Sequence, residues 1–232
     1  MTCLLTIETS TQICSLSLSI NGKSIMNKIC TKKKSHASLL GAFTLEAVNY
    51  VRKNNYTINA VAVSAGPGSY TGLRIGTSEA KGLCYGFDIP LITIPTLKIM
   101  AFQAIHNLSL SFPNSIYCPI IDAERMEVFT VLYDANLNEI CPLKVDTIDE
   151  NSYKEFLKKR TIIFFGNGLN KCTNLIKSPN AIFIKDIYPT AKTMIYLAET
   201  AFAKKEFTDI AYFEPFYLKE YQTTVTQNKI LL

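Results

Sequence analysis

Along this chain the spacing of hydrophobic residues switches between a strand period and a helix period, and the switches mark the elements. Between Cys14 and Ile20 the residues alternate as Cys-Ser-Leu-Ser-Leu-Ser-Ile. That period of two puts Cys14, Leu16, Leu18 and Ile20 on one face of a strand. The run Cys3–Glu8 before it is apolar, ends in an acid and leads into the hydroxyl-rich turn Thr9-Ser10-Thr11. Asn21-Gly22 is a hairpin signal in which both residues take positive φ, so Lys23 to Thr31 is expected to return as a third strand. From about Ser35, placed to cap a helix, Leu39, Leu40, Phe43, Ala47, Val48 and Val51 recur at intervals of three and four, which predicts an amphipathic helix.

Further on, Ala60–Ala65 reads as a short buried strand stopped by Gly66-Pro67-Gly68, followed by a helix over about Thr71–Gly86, a strand at Pro90–Ile94 and a helix at Leu97–Asn107. Periodicity breaks over Asn107–Asn114. Ile116–Asp122 is then again an apolar strand ending in an acid, with a turn and a second strand at Glu127–Tyr133. This echoes the opening strand-acid-turn-strand unit and predicts two related lobes, 1–108 and 109–232. Later signals are a helix at Ser152–Lys159, a strand at Thr161–Phe165, a Gly-Asn-Gly turn at Gly166–Gly168 and a long helix at Thr190–Phe207. The order of elements indicates an α/β protein of mixed sheets flanked by helices.

Composition narrows the setting. With 48% hydrophobic and 19% charged residues, a sizeable core can form and disorder is not expected. No window approaches a membrane span, and the N-terminus does not read as a signal peptide. Seven scattered cysteines without a Cys-x-x-Cys pair favour a reducing cytoplasm over a disulfide framework or a zinc site. A net charge of +5 does not mark a nucleic-acid binder, and Lys32-Lys33-Lys34 reads as a solvated loop.

The segment from Gly66 to Gly76 joins a buried strand to a helix, where open α/β sheets place ligands. Free amides at the helix start can hold an anion, but no Walker lysine follows. Within that helix Gly72, Gly76 and Ala80 recur every four residues, and Gly82 and Gly86 repeat the spacing on another face. Each helical glycine costs roughly 1 kcal/mol relative to alanine, so another backbone is expected to come close, either from within this chain or from another protein. His36 lacks a second histidine four residues on, because position 40 is Leu40, so the first helix cannot form a two-histidine metal site. No nucleophile elbow is present.

Ile7-Glu8-Thr9-Ser10-Thr11 with Cys14-Ser15, His36-Ala37-Ser38-Leu39-Leu40, Gly66–Gly76 followed by Lys81-Gly82-Leu83, Ile121-Asp122-Ala123 with Glu127-Val128, and Glu214-Pro215-Phe216-Tyr217-Leu218 together resemble the TsaB (YeaZ) family of bacterial tRNA threonylcarbamoyladenosine biosynthesis proteins. The resemblance implies a two-lobed actin-like (ribonuclease H-like) fold of the sugar-kinase and Hsp70 superfamily. It implies a non-catalytic subunit that pairs with the catalytic paralogue TsaD and the ATPase TsaE and meets tRNA through the complex. By the same resemblance the partner-facing residues are His36, Leu39, Leu40, Phe43, Gly72, Arg74, Ile75, Gly76 and Ala80; a helix pair of this kind also allows a homodimer when the partner is absent. Glu8, Thr9, Ser10, Thr11, Gly68 and Ser69 are the candidates for nucleotide contact. No cofactor is expected to bind this subunit tightly, and ATP or ADP with magnesium is expected only at the interface of the complex. No catalytic residue, metal ligand or protease activity is implied. Two departures bear on nucleotide binding: the first-turn acid is Glu8 where the family has Asp, and Ala123 is followed by Glu124 before Arg125. The alternatives are a stand-alone actin-fold kinase or ATPase and a plain RNA-binding protein.

Overall fold

The structure, a computed structural model, describes residues 1–32, 36–108, 112 and 114–217. Ser35, Lys33, Lys34 and Leu218, singled out above, lie outside these.

Two five-stranded sheets organise the chain. The first contains β1 (Cys3–Glu8), β2 (Cys14–Ile20), β3 (Lys23–Cys30), β4 (Ala60–Ser64) and β5 (Leu91–Ile94), in the order β3-β2-β1-β4-β5. The second contains β6 (Ile116–Asp122), β7 (Glu127–Tyr133), β8 (Glu139–Thr147), β9 (Ile162–Phe165) and β10 (Ala181–Ile184), in the order β10-β9-β6-β7-β8. In each sheet the first three strands in sequence form an antiparallel meander, and the last two add in parallel to the first. The repeat read from the strand-acid-turn-strand pattern therefore extends to the whole sheet. Asn21 and Gly22 both have positive φ, as the β2–β3 turn requires.

The helices are α1 (His36–Lys53), α2 (Tyr70–Phe87), α3 (Thr96–Leu108), the single turn α4 (Lys154–Leu157) and α5 (Ala191–Ala203). None is long and apolar enough to cross a membrane among the described residues. α1 and α2 cover one face of the first sheet, where Leu40, Ala47, Ala80 and Cys84 pack on Leu5, Ile7, Leu16, Val61 and Val63. On the opposite face Leu4, Ala60, Ala62 and Ile92 meet Ile99 of α3 and Met194, Ala198 and Ala201 of α5. α3 turns its other side, Leu97, Met100, Ala101, Ala104 and Ile105, to Tyr117, Ile121 and Phe129 of the second sheet. The layers are thus α1/α2, sheet, α3/α5, sheet, and α4 with a short 3-10 turn at Leu169–Lys171.

A division at residue 108 separates the sheets but not the layers. α5, from the second half, is fastened to the first sheet. Ser15 Oγ accepts from the Ala191 amide at 2.9 Å, Thr6 Oγ1 donates to the Ala191 carbonyl at 2.8 Å, and Glu199 Oε1 accepts from the Gly22 amide at 2.9 Å. Two strands escaped the reading of the sequence. β8 is an edge strand interrupted by Pro142 and only patchily buried, and β10 is four half-buried residues at the opposite edge. The helix expected over Ser152–Lys159 is four residues long.

Candidate functional site

The residues of interest converge where β1 ends. Glu8 is the last residue of the strand and is fully buried, with Oε1 accepting the Ser10 amide at 2.6 Å. Burial pushes its carboxyl up to about 7, against the opposing pull of hydrogen bonding from Ser10 and Ser64. Oε2 nevertheless has no well-formed partner among the described residues, and neither do the Thr9, Ser10 and Ser64 hydroxyls.

The glycine-rich loop closes over this turn. The Ser69 amide donates to the Ser10 carbonyl at 2.6 Å, and Ser69 Oγ caps α2 by accepting the Gly72 amide at 3.2 Å. A Cβ on Gly68 would overlap the Ser10 backbone, one on Gly72 the Thr9 carbonyl, and one on Gly76 the Thr9 hydroxyl. From the other side His36, at the start of α1 and buried, makes a hydrogen bond from Nε2 to the Thr11 carbonyl at 3.0 Å. The six candidate nucleotide residues are therefore brought together, but protein fills the space between turn and loop. Glu8, Thr9 and Ser10 are at most 1% exposed, whereas Gly68 is half-buried and Ser69 exposed, so of the six candidates the loop residues and not the turn side chains are presented to solvent in this conformation.

Part of the expected partner-facing set is buried within this chain. Gly72, Gly76 and Ala80 form the inner stripe of α2, and Leu40 lies in the core beneath α1. What lies close to these glycines is this chain's own Thr9, its carbonyl against Gly72 and its side chain against Gly76. Leu39, Phe43 and Ile75 are half-buried at the edge, and Arg74 is exposed. The outer stripe consists of Ala37, Ser38, Gly41, Ala42 and Leu45 on α1, and Thr71, Arg74, Ser78, Gly82, Tyr85 and Gly86 on α2. A Cβ at Gly41, Gly82 or Gly86 would meet nothing within 4 Å among the described residues. Leu45 is 61% exposed and Tyr85 82%. The repeat of Gly82 and Gly86 on a second face was the available sign of this stripe; Gly41, Leu45 and Tyr85 carried none.

The Glu214-Pro215-Phe216-Tyr217 segment also gains a structural role. The Phe216 amide donates to the Ala65 carbonyl at 2.8 Å, and its carbonyl lies against Gly66, whose φ of +98° already favours glycine. Tyr217 packs on Tyr70 with ring centroids 4.9 Å apart, and Arg74 lies over the Tyr70 ring, 5.3 Å from its centroid. The segment braces the loop that closes the turn.

The corresponding turn of the second sheet is occupied differently. Lys171 Nζ donates to Asp122 Oδ1 at 2.5 Å and to the Glu127 carbonyl at 2.8 Å, while Asn167 Oδ1 accepts the Asp122 amide at 3.0 Å. An internal cation thus stands at the second acid.

Fold and site together define an actin-like two-lobed protein whose first strand-acid turn packs against its own glycine-rich loop. A solved polyphosphate/ATP-glucomannokinase from Arthrobacter sp. strain KM has the same general fold, with a TM-score of 0.51 at 10% identity over 88% of this chain and 100% of that one. A family model described as "TsaD: tRNA N6-adenosine threonylcarbamoyltransferase" matches residues 27–226. The TsaB protein of Buchnera aphidicola subsp. Baizongia pistaciae, described as a tRNA threonylcarbamoyladenosine biosynthesis protein, is 31% identical over 88% of this chain and 92% of its own length. A Pseudomonas aeruginosa structure described as similar to peptidase YEAZ superposes with a TM-score of 0.79 at 22% identity, over 94% of this chain and 100% of that one. The chain belongs to the TsaB family.

Proposed function

We propose that this chain is the non-catalytic partner subunit in threonylcarbamoyladenosine synthesis on tRNA. It docks through the outer stripe of α1 and α2 onto a TsaD-like transferase. The observation that carries this reading is the set of open-space glycines, Gly41, Gly82 and Gly86, on two adjacent helices. Each weakens its own helix by roughly 1 kcal/mol relative to alanine and serves no contact within the described chain. Small residues flanked by exposed Leu45 and Tyr85 form a surface onto which a second helix pair can close. The apolar anchors supply binding area and the glycines allow backbone approach.

The subunit supplies no acid, base or nucleophile of its own in this reading. Its contribution is to hold the transferase in an active arrangement, and tRNA and a TsaE-like ATPase are reached through the complex. Nucleotide with magnesium belongs to the assembled complex rather than to the closed turn of this chain, and the whole acts in the cytoplasm. The peptidase label attached to a structural relative finds no support in this reading: among the described residues the carboxyl that lies beside the hydroxyl cluster, Glu8, is buried.

Gel filtration of a mixture with the TsaD-like subunit is expected to give a complex, and Gly82→Leu is expected to abolish it while leaving the melting temperature of the isolated chain unchanged or raised. A mixture that elutes as two separate proteins sinks the proposal. Surviving pairing with Gly82→Leu moves the interface elsewhere.

A further inference from the structure

Three consecutive carbonyl groups in the turn after β1 are each met by a different part of the helix pair. The Thr9 carbonyl lies against Gly72, the Ser10 carbonyl accepts the Ser69 amide, and the Thr11 carbonyl is paired with His36 Nε2. The Thr9 side chain adds a fourth contact, against Gly76. Both helices whose outer faces are read as the docking surface are therefore seated on one tripeptide. α2 rests more on the sheet than on α1, while α1 touches α2 nearly as extensively as it touches β2. The tripeptide is itself fixed from below by Glu8, which holds the Ser10 amide.

We infer that the Thr9-Ser10-Thr11 backbone is a spacer that sets the separation and register of α1 and α2, with Gly76 and His36 as positioning residues for partner binding. The inference rests on the docking reading above and adds how the docking face is controlled. The turn is packed against Gly68, Gly72, Gly76 and His36, so the chain itself holds the helix pair in one arrangement. A change at the turn is expected to reach the docking face although Thr9 is fully buried. Close-packed interiors pass such displacements on because they have no slack to absorb them.

The discriminating experiment is compensation between two buried positions. Full-length wild type, Gly76→Ala, Thr9→Ala and the double variant are titrated against the TsaD-like subunit by calorimetry, and each is melted alone. Gly76→Ala forces the new methyl onto the Thr9 hydroxyl and is expected to weaken pairing about tenfold or more and to lower the melting temperature. Thr9→Ala removes a hydroxyl that has no hydrogen-bond partner among the described residues, so alone it is expected to change pairing by no more than about threefold. In the double variant the two changes relieve each other, and both pairing and melting temperature are expected to return close to wild type. A residue that touched the partner directly could not be rescued by a change at a position that never reaches the surface.

If the double variant pairs as weakly as Gly76→Ala, the spacer is overturned. Equal pairing by all four also overturns it. If wild type itself does not pair, the docking reading fails, and the internal half of the inference is then judged by whether the double variant restores the melting temperature. Should Gly76→Ala not fold, His36→Ala and His36→Gln replace it. Alanine is expected to weaken pairing about tenfold, and glutamine, which keeps a donor near the Nε2 position, to restore it to within about threefold. Equal weakening by both overturns the role of His36.

Discussion

Glu8 and Ser10 are joined by a 2.6 Å hydrogen bond, from the Ser10 amide to Glu8 Oε1, at a depth where neither residue reaches solvent. Burial raises the Glu8 carboxyl from 4.5 to about 7. The folded chain therefore keeps this proton over a range where the unfolded chain has lost it. The stability this lends is fully present below pH 4.5. It declines as pH rises from 4.5 to 7 and is absent above, a span worth roughly 3 kcal/mol at one unit per 1.36 kcal/mol. Glu8→Gln is expected to remove that slope and to be the more stable form at pH 8, by about 1–3 kcal/mol. Urea unfolding of both chains at pH 5 and pH 8 measures it. Equal pH dependence in wild type and variant would falsify a neutral Glu8.

The glycines divide into two groups with opposite expected responses. Gly68→Ala places its methyl in the Ser10 backbone, which cannot swing aside as a side chain can, so a loss of about 3 kcal/mol or more is expected. Gly82→Ala adds a methyl in open space within a helix and is expected to stabilise the isolated chain by about 0.5–1 kcal/mol. Thermal melts of the two variants decide it, and a loss of stability in Gly82→Ala would contradict the open outer stripe.

Lys171 is the cation of the second acid turn, and its side chain is 15% exposed. Lys171→Met keeps the length of the stem but removes the donor to Asp122 and to the Glu127 carbonyl. A destabilisation of about 1–3 kcal/mol is expected, because two charge-assisted hydrogen bonds are lost at a sheltered site. Urea unfolding in low and high salt reads this out. A purely exposed ion pair would lose its effect in high salt, and this one is expected to keep most of it.

The thiols are graded by burial. Desolvation lifts Cys3, Cys14 and Cys84 to about 11 and Cys172 to about 12, and pushes fully buried Cys118 up as well. Cys30 and Cys141 are only half-buried. Since the thiolate is the reactive form, iodoacetamide at pH 7.5 is expected to modify Cys30 and Cys141 in the native chain and the other five only after unfolding. Peptide mass mapping before and after urea gives the result.

Much of the fold could be read from the sequence because its signals are local. The alternation of β2, the Asn21-Gly22 turn, and the apolar runs ending at Glu8 and Asp122 each depend on a few neighbouring residues. β8 and β10 stayed hidden because edge strands, buried on neither face throughout, need no strict alternation. The site was legible in its residues but not in its sense. The four-residue spacing of Gly72, Gly76 and Ala80 announces that a backbone lies close, and a spacing holds no information on whose backbone it is. Which side of α2 faces inward depends on how the helix settles on the sheet, a long-range choice involving Leu73, Thr77 and Cys84 at once. The contact between His36 and Thr11 spans 25 residues and has no sequence signature at all.

The layer of α3 and α5 between the sheets has a consequence for the molecule as a whole. Each lobe borrows a helix from across the boundary, so neither half is a portable cassette. A fragment ending at residue 108 would leave Leu4, Ala60, Ala62 and Ile92 without the α5 residues that cover them. The complementary fragment would carry α5 without its sheet, and would lack the α3 residues that cover Tyr117 and Ile121. The repeat that is visible in the two sheets is therefore one that can no longer be taken apart. The chain must be made, folded and lost as a single cooperative unit.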